Sequence, residues 1–190
     1  MTNIKDRIRY RRQNSVDPEA YLLDSDVIEP TEGDEDLQLT AEFESELRTY
    51  VEEVEGEGVD DTDLATLFGV DLDDVEEQER PYPAYKIIHT IRNWPSEAAL
   101  RFDIAVDRIL RERRDDWDDV PPRQRYRIAQ SLRTFQDACL FCDGTVVYGD
   151  EPVVSCCGEK RVLTLHCEAC ERRFMEFTTE NQNFADSVTA

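Results

Sequence analysis

From Leu39 to about Glu55 the apolar residues Phe43, Leu47, Tyr50, Val51 and Val54 recur at helical spacing, and the run closes on "EGEG". That pattern predicts an amphipathic helix with a glycine stop. In "DDTDLATLFGVDLDDVEEQ", Leu64, Leu67 and Phe68 share one face of a short helix. Gly69 suits a tight turn there, and Leu72 and Val75 are expected to open a second helix. Proline in "RPYPAYK" interrupts helix and ladder alike and separates this acidic part from a helical middle. A helix is then predicted over Ala84–Asn93, with His89 among its bundle residues. Another runs from Pro95-Ser96 to about Arg114, its apolar face made by Leu100, Ile104, Val106, Ile109 and Leu110. A third covers Arg123–Ala138, with Ile128, Leu132 and Phe135 pointing inward. Beyond Ala138 the period shortens. "TVVY", "VVSC" and "RVLTLH" read as strands, with "GDEP" and "CGEK" as their turns.

The fold class predicted is α+β: a small all-α part followed by a C-terminal antiparallel sheet. Residues 1–36 lack a sustained period and are expected to form a flexible arm that orders on binding. Residues 37–79 form an acidic helical hairpin, 80–137 an arginine-rich helical bundle, 138–177 the sheet, and 178–190 a tail.

Charge alters this picture. The chain carries 44 acidic residues against 22 basic ones, for a net charge of −22, and only Lys5, Lys86 and Lys160 are lysines. This usage resembles that of a halophilic archaeon, whose proteins keep carboxylates hydrated in concentrated salt, where repulsion is screened within about 3 Å. The acid is segregated: residues 13–79 hold a single base, Arg48, whereas Arg108, Arg111, Arg113, Arg114, Arg123, Arg125, Arg127 and Arg133 cluster together. Two readings of that cluster stand. Arg111, Arg114, Arg123 and Arg127 form a surface for nucleic acid or an acidic protein, or the arginine stems cover the bundle and pair with Asp115, Asp116, Asp118 and Asp119. The polar start "MTNIKDRIRYRRQ" and the lack of any apolar run near ~20 residues predict a cytoplasmic protein, or one assembled into a particle there, with no membrane partner.

All six cysteines lie within residues 139–170. Cys139 and Cys142 make one CxxC pair, Cys167 and Cys170 another. Zn²⁺ takes four tetrahedral thiolate or imidazole ligands, and each CxxC turn offers two sulfurs from one tight loop. A sheet this small cannot hold a core unaided, which predicts a structural Zn²⁺ on Cys139, Cys142, Cys167 and Cys170. Cys156, Cys157 and His166 are alternate ligands. Adjacent strand residues face opposite ways, so at most one of Cys156 and Cys157 can face a given metal.

Two knuckles joined by strands resemble a zinc ribbon over residues 138–177. The gap between the pairs and the ending "LHCEACERRF" are similar to the ribbon of transcript-cleavage factors acting on RNA polymerase. That family holds a catalytic Mg²⁺ on an acidic pair near its second knuckle. Here Asp150-Glu151 sits far from that knuckle, so the activity does not carry over. The order of parts is also similar to an archaeal basal transcription factor with a helix-turn-helix and a ribbon. "LATLFGVDLDDV" resembles the first two helices of a helix-turn-helix, but carboxylates occupy the positions that would face phosphate.

No glycine-rich phosphate loop, no acid/base pair and no redox CxxC context is present, so no enzymatic activity is expected. The expectation is a zinc-ribbon adaptor or regulator with a protein partner, contacting nucleic acid or a nucleic-acid machine. The alternative is an assembly protein of a multi-subunit particle, such as a haloarchaeal virus, with the ribbon as a staple.

Overall fold

The computed structural model describes residues 9–10, 12–33, 36–155 and 158–178. Helices occupy the first two thirds and an antiparallel sheet closes the chain, as the α+β class requires. The elements are α1 (Pro18–Asp24), β1 (Ile28–Pro30), β2 (Leu37–Leu39), α2 (Ala41–Glu57) and α3 (Asp61–Phe68), then β3 (Val75–Glu77), β4 (Ala84–Ile87) and β5 (Thr90–Asn93). After these come α4 (Glu97–Arg113), α5 (Pro122–Leu132), β6 (Val146–Ser155), β7 (Gly158–Cys167) and β8 (Arg173–Thr178). Among the described residues no helix is long and apolar enough to cross a membrane.

Local chemistry sets the helix ends. The Thr40 hydroxyl accepts from the Phe43 N–H to start α2, and Glu42 and Glu44 oppose the helix dipole in its first turn. Asp60 and Asp63 form a reciprocal capping box on α3, and Gly69 ends that helix in the left-handed region at φ 59°. Ser96 caps α4. This helix is the axis of the fold, with Phe102, Ile104, Ala105, Val106, Ile109 and Leu110 all fully buried. One core gathers Tyr21, Val27, Phe43, Leu47, Phe102, Val106, Trp117 and Leu132 around it. A second core joins Leu64, Leu67, Phe68, Tyr85, Trp94, Ile104 and Tyr126.

Residues 1–8, 11, 34 and 35 of the expected arm over 1–36 lie outside the described residues, and from Asp17 onward its described part is built into the body. Asp17 caps α1, whose Tyr21 and Leu22 are buried, and β1 pairs with β2 from Ile28↔Leu39 to Pro30↔Leu37. The second helix expected at Leu72 and Val75 is a single 3₁₀ turn over Leu72–Asp74 that leads into β3, so no helix-turn-helix forms. The helix predicted over Ala84–Asn93 is a β-hairpin with Ala84↔Asn93 and Ile87↔Thr90 pairing, and His89 lies exposed in its turn. The third helix stops at Leu132 and tightens into a 3₁₀ turn over Arg133–Phe135.

In the C-terminal sheet, ordered β6-β7-β8, "GDEP" is not a turn: β6 runs straight through it, paired residue by residue from Val146↔Cys167 to Ser155↔Gly158. Proline is tolerated because β6 is an edge strand. Gly149 has a positive reason to be there, since a Cβ on it would lie 2.5 Å from the His166 ring.

Candidate metal centre

The two CxxC turns are built alike. In the first, the Cys139 N–H donates to the Gly144 carbonyl (2.8 Å) and the Asp143 N–H to the Cys139 carbonyl (2.9 Å). In the second, the Cys167 N–H donates to the Arg172 carbonyl (3.0 Å) and the Glu171 N–H to the Cys167 carbonyl (2.9 Å). The residue after each pair, Asp143 or Glu171, turns left-handed at φ 59° and 57°. Each turn therefore curls its chain around two sulfurs. Backbone N–H groups of Phe141, Gly144 and Arg172 point at the sulfurs of Cys139, Cys142 and Cys170.

The turns face each other because the Glu168 N–H donates to the Thr145 carbonyl (3.0 Å) and Val146 pairs with Cys167. The Cys139 and Cys170 sulfurs are 3.7 Å apart, and those of Cys142 and Cys167 are 3.5 Å apart. All four sulfurs lie within 4.8 Å of one another. A tetrahedron with metal–sulfur bonds of about 2.3 Å has edges of about 3.8 Å, so one ion fits among them. Cys139 and Cys167 are buried, Cys170 is half-buried and Cys142 is exposed.

The thiols are electrostatically coupled. Burial pushes Cys139 well above the ordinary thiol range. Cys142 has the Gly144 N–H favouring its thiolate, yet the facing sulfurs raise it overall. Burial acts to raise Cys170 as well, but the Arg172 N–H and the neighbouring thiols bring it down to about 7. Four thiolates cannot coexist so closely without a cation, so a metal ion that binds here displaces protons.

Packing explains one residue that the CxxC spacing does not reveal. A Cβ on Gly144 would lie 2.6 Å from the Ala169 Cβ and 2.9 Å from the Cys167 sulfur. Only glycine lets the two turns meet. The centre is also latched to the helical body. Arg48 on α2 pairs with Asp143 (2.7 Å) behind the first turn. Further along α2, Glu55 accepts from Arg172 (2.9 Å) behind the second turn, and Arg172 stacks over Phe141. The Ser96 hydroxyl donates to the Arg173 carbonyl, and the buried Arg133 guanidinium reaches the Phe174 carbonyl (3.0 Å) while pairing with Asp103.

His166 does not join the four sulfurs: it packs over Gly149 with Nδ1 3.2 Å from the Thr164 hydroxyl. Cys156 and Cys157 lie outside the described residues. Their neighbours Ser155 and Gly158 pair nine steps along the ladder from Val146↔Cys167, about 30 Å away at ~3.4 Å per residue.

The four arginines singled out from the sequence separate into two kinds. Arg111 pairs with the buried Asp107 and with Asp118, and Arg114 forks onto Asp116 with both nitrogens at 3.0 Å. Arg123 and Arg127 stand exposed on α5 beside a groove of about 520 Å³.

No curated protein and no solved structure matches this chain. A family model does: the central domain of a family of unknown function, DUF8054, spans residues 17–134, and the C-terminal domain of the same family spans residues 137–177. The first of these begins at the Asp17 cap of α1 and the second encloses all four clustered cysteines, and the chain belongs to the DUF8054 family.

Proposed function

We propose that this protein is a non-enzymatic adaptor whose C-terminal sheet is a zinc ribbon, with one structural Zn²⁺ held by Cys139, Cys142, Cys167 and Cys170. The observation that carries the reading is the convergence of four sulfurs, all within 4.8 Å, from two turns of matched geometry. Tetrahedral sulfur ligation suits Zn²⁺, and four protein ligands leave no position where the ion would activate water or substrate. The ion's part is to join the two turns. The turns in turn present Asp143 and Arg172 to Arg48 and Glu55 on α2, so the metal holds the ribbon in register with the body.

A protein partner suits this adaptor better than a broad nucleic-acid surface. Arg111 and Arg114 are engaged by Asp107, Asp118 and Asp116, which leaves few guanidinium groups to neutralise phosphates in a chain of net charge −22. Metal analysis of protein purified without added metal tests the centre. One zinc per chain is expected, and its loss in Cys139→Ser. Stoichiometric iron, or no metal in folded protein, would overturn the zinc assignment.

A further inference from the structure

In so acidic a chain most of the described arginines find a carboxylate or a ring. Arg48, Arg101, Arg108, Arg111, Arg113, Arg114, Arg125, Arg133 and Arg172 all have carboxylate partners, and Arg92 lies over Phe68 and Tyr126. Among the described residues, no ion pair, side-chain hydrogen bond or ring contact engages Arg9, Arg12, Arg80, Arg123 or Arg127. Two of these five, Arg123 and Arg127, line one groove, and the segment carrying Arg9 and Arg12 packs beside it. The segment carrying Arg9 and Arg12 is tied to the start of α5 by Tyr10 and Asn14 donating to the Asp119 carbonyl, and by Gln124 bonding Val16. Arg123 and Arg127, one turn apart on α5, line the groove itself.

We infer that this groove, between Ser15–Pro18 and α5, docks an acidic segment of a partner protein that carries an apolar side chain. Pro18, Pro121 and Ile128 give its lining an apolar part beside Ser15, Gln124 and Ser131, and Arg123 and Arg127 line it as well. The free arginines supply the complementary charge. The groove, at about 520 Å³, accommodates a few residues of chain. A nucleic acid is disfavoured because a polyanion longer than the patch would run onto a surface of net charge −22. The apolar part of the lining also matters in concentrated salt, where charge attraction survives only at direct contact. This inference builds on the adaptor reading but not on the metal, since no lining residue belongs to the ribbon.

The test is fluorescence anisotropy with the full chain and a labelled glutamate peptide bearing one central leucine. A glutamine counterpart and a single-stranded oligonucleotide run beside it, with zinc content and folding checked in every sample. The acidic peptide is expected to bind, more weakly as potassium chloride rises. The double variant Arg123→Gln/Arg127→Gln should weaken it by about tenfold or more with folding unchanged, because neither guanidinium makes an ion pair or hydrogen bond in the fold. Arg9→Gln/Arg12→Gln should weaken it less. Absence of binding, equal binding of the glutamine peptide, indifference to Arg123→Gln/Arg127→Gln, or preference for the oligonucleotide would each overturn the inference. Full zinc alongside any of these would leave the metal centre standing.

Discussion

The helical body and the C-terminal sheet, the ribbon of the proposal above, solve the problem of burial in opposite ways. The body surrounds α4 with two apolar cores, and its largest buried side chains include Trp94, Trp117, Phe43 and Phe102. The ribbon's own core consists of Ala98, Cys139, Val146, Leu165, Cys167 and Phe174. Ala98 belongs to α4, and Cys139 and Cys167 are among the four clustered cysteines. The body thus builds its cores from its own apolar side chains, whereas the ribbon's core takes Ala98 from α4 and includes two of the four clustered sulfurs. The difference predicts separate stabilities, and variants in each region can break or confirm it.

With zinc bound as proposed, the largest effect is expected from removing it. Structural zinc contributes on the order of 10–16 kcal/mol to small zinc domains at neutral pH, more than a six-residue core supplies. Cys139→Ser, or a strong chelator, should abolish amide protection across residues 138–178 while leaving α2, α4 and α5 protected. Hydrogen exchange read by mass spectrometry distinguishes this from global unfolding. Persistent protection of β7 without metal would show that the ribbon stands on its packing alone.

Next in size is a change confined to the body. Phe102 is fully buried in the main core, and Phe102→Ala should cost about 3–5 kcal/mol through lost contacts and a cavity. Thermal unfolding should move down sharply while zinc stoichiometry below the transition stays unchanged. Zinc loss from the variant at temperatures where the parent keeps its zinc, with the body still folded in both, would contradict the separation.

How legible each of these features is in the sequence depends on how local its signal is. The cysteine pairs need only spacing, because the ligands of each turn come from four consecutive residues. The buried faces of α2, α4 and α5 are equally legible, since a helix repeats its apolar positions. The hairpin at Ala84–Asn93 reads as a helix because Ile87, Ile88 and Ile91 mimic helical spacing and its turn holds no glycine. Ile88 turns left-handed at φ 57°, an unusual conformation for a β-branched residue that composition does not announce. Helix α1 escapes the pattern although Asp17 and Pro18 mark its start, because seven residues are too few to show a period. The latches between Arg48 and Asp143 and between Glu55 and Arg172 join residues 95 and 117 positions apart, beyond any local pattern.

Arg133 tests the seam between the two regions. It forks onto Asp103, which also accepts from the Trp94 indole (2.8 Å), and its other nitrogen holds the Phe174 carbonyl of β8. Both Arg133 and Asp103 are almost wholly buried. Arg133→Met leaves that carboxylate without its cation and should cost about 3 kcal/mol. Burial raises the Asp103 pKa, and Arg133 is the first of the groups that oppose the rise. In the variant the folded state therefore keeps a proton that the unfolded chain releases. Its deficit should grow as pH rises from the ordinary carboxylate range towards neutrality. A deficit that shrank over that interval would mean that Asp103 is not the group left unpaired. Adding Asp103→Leu should recover part of the loss in the body, while β8 stays less protected because the Phe174 carbonyl remains without its donor.

The smallest effect is expected at the body's surface, where acidity is most abundant. Arg114 forks onto Asp116, Tyr21 donates to the same carboxylate (2.9 Å), and the Arg114 guanidinium lies 4.6 Å from the Tyr21 ring centre. The Arg114 hydrogen bonds, with help from Tyr21, hold the Asp116 pKa below its ordinary value of 3.8. A depressed carboxylate contributes its stability above the unfolded pKa and loses it as pH falls through the folded one. The contribution is discounted because the Asp116 side chain is 51% exposed and its charge is screened. Asp116→Asn should therefore cost only about 0.5 kcal/mol near neutral pH, and the difference from the parent should shrink as pH falls below the ordinary carboxylate range. Urea melts of both proteins across that range, read in the body by tryptophan fluorescence, measure it. A cost several times larger would mean that this surface triad supports the burial of Trp117, which packs against Tyr21 at 5.8 Å between ring centres. The distinction between a core-stabilised body and a merely solvated acidic surface would then have to be redrawn.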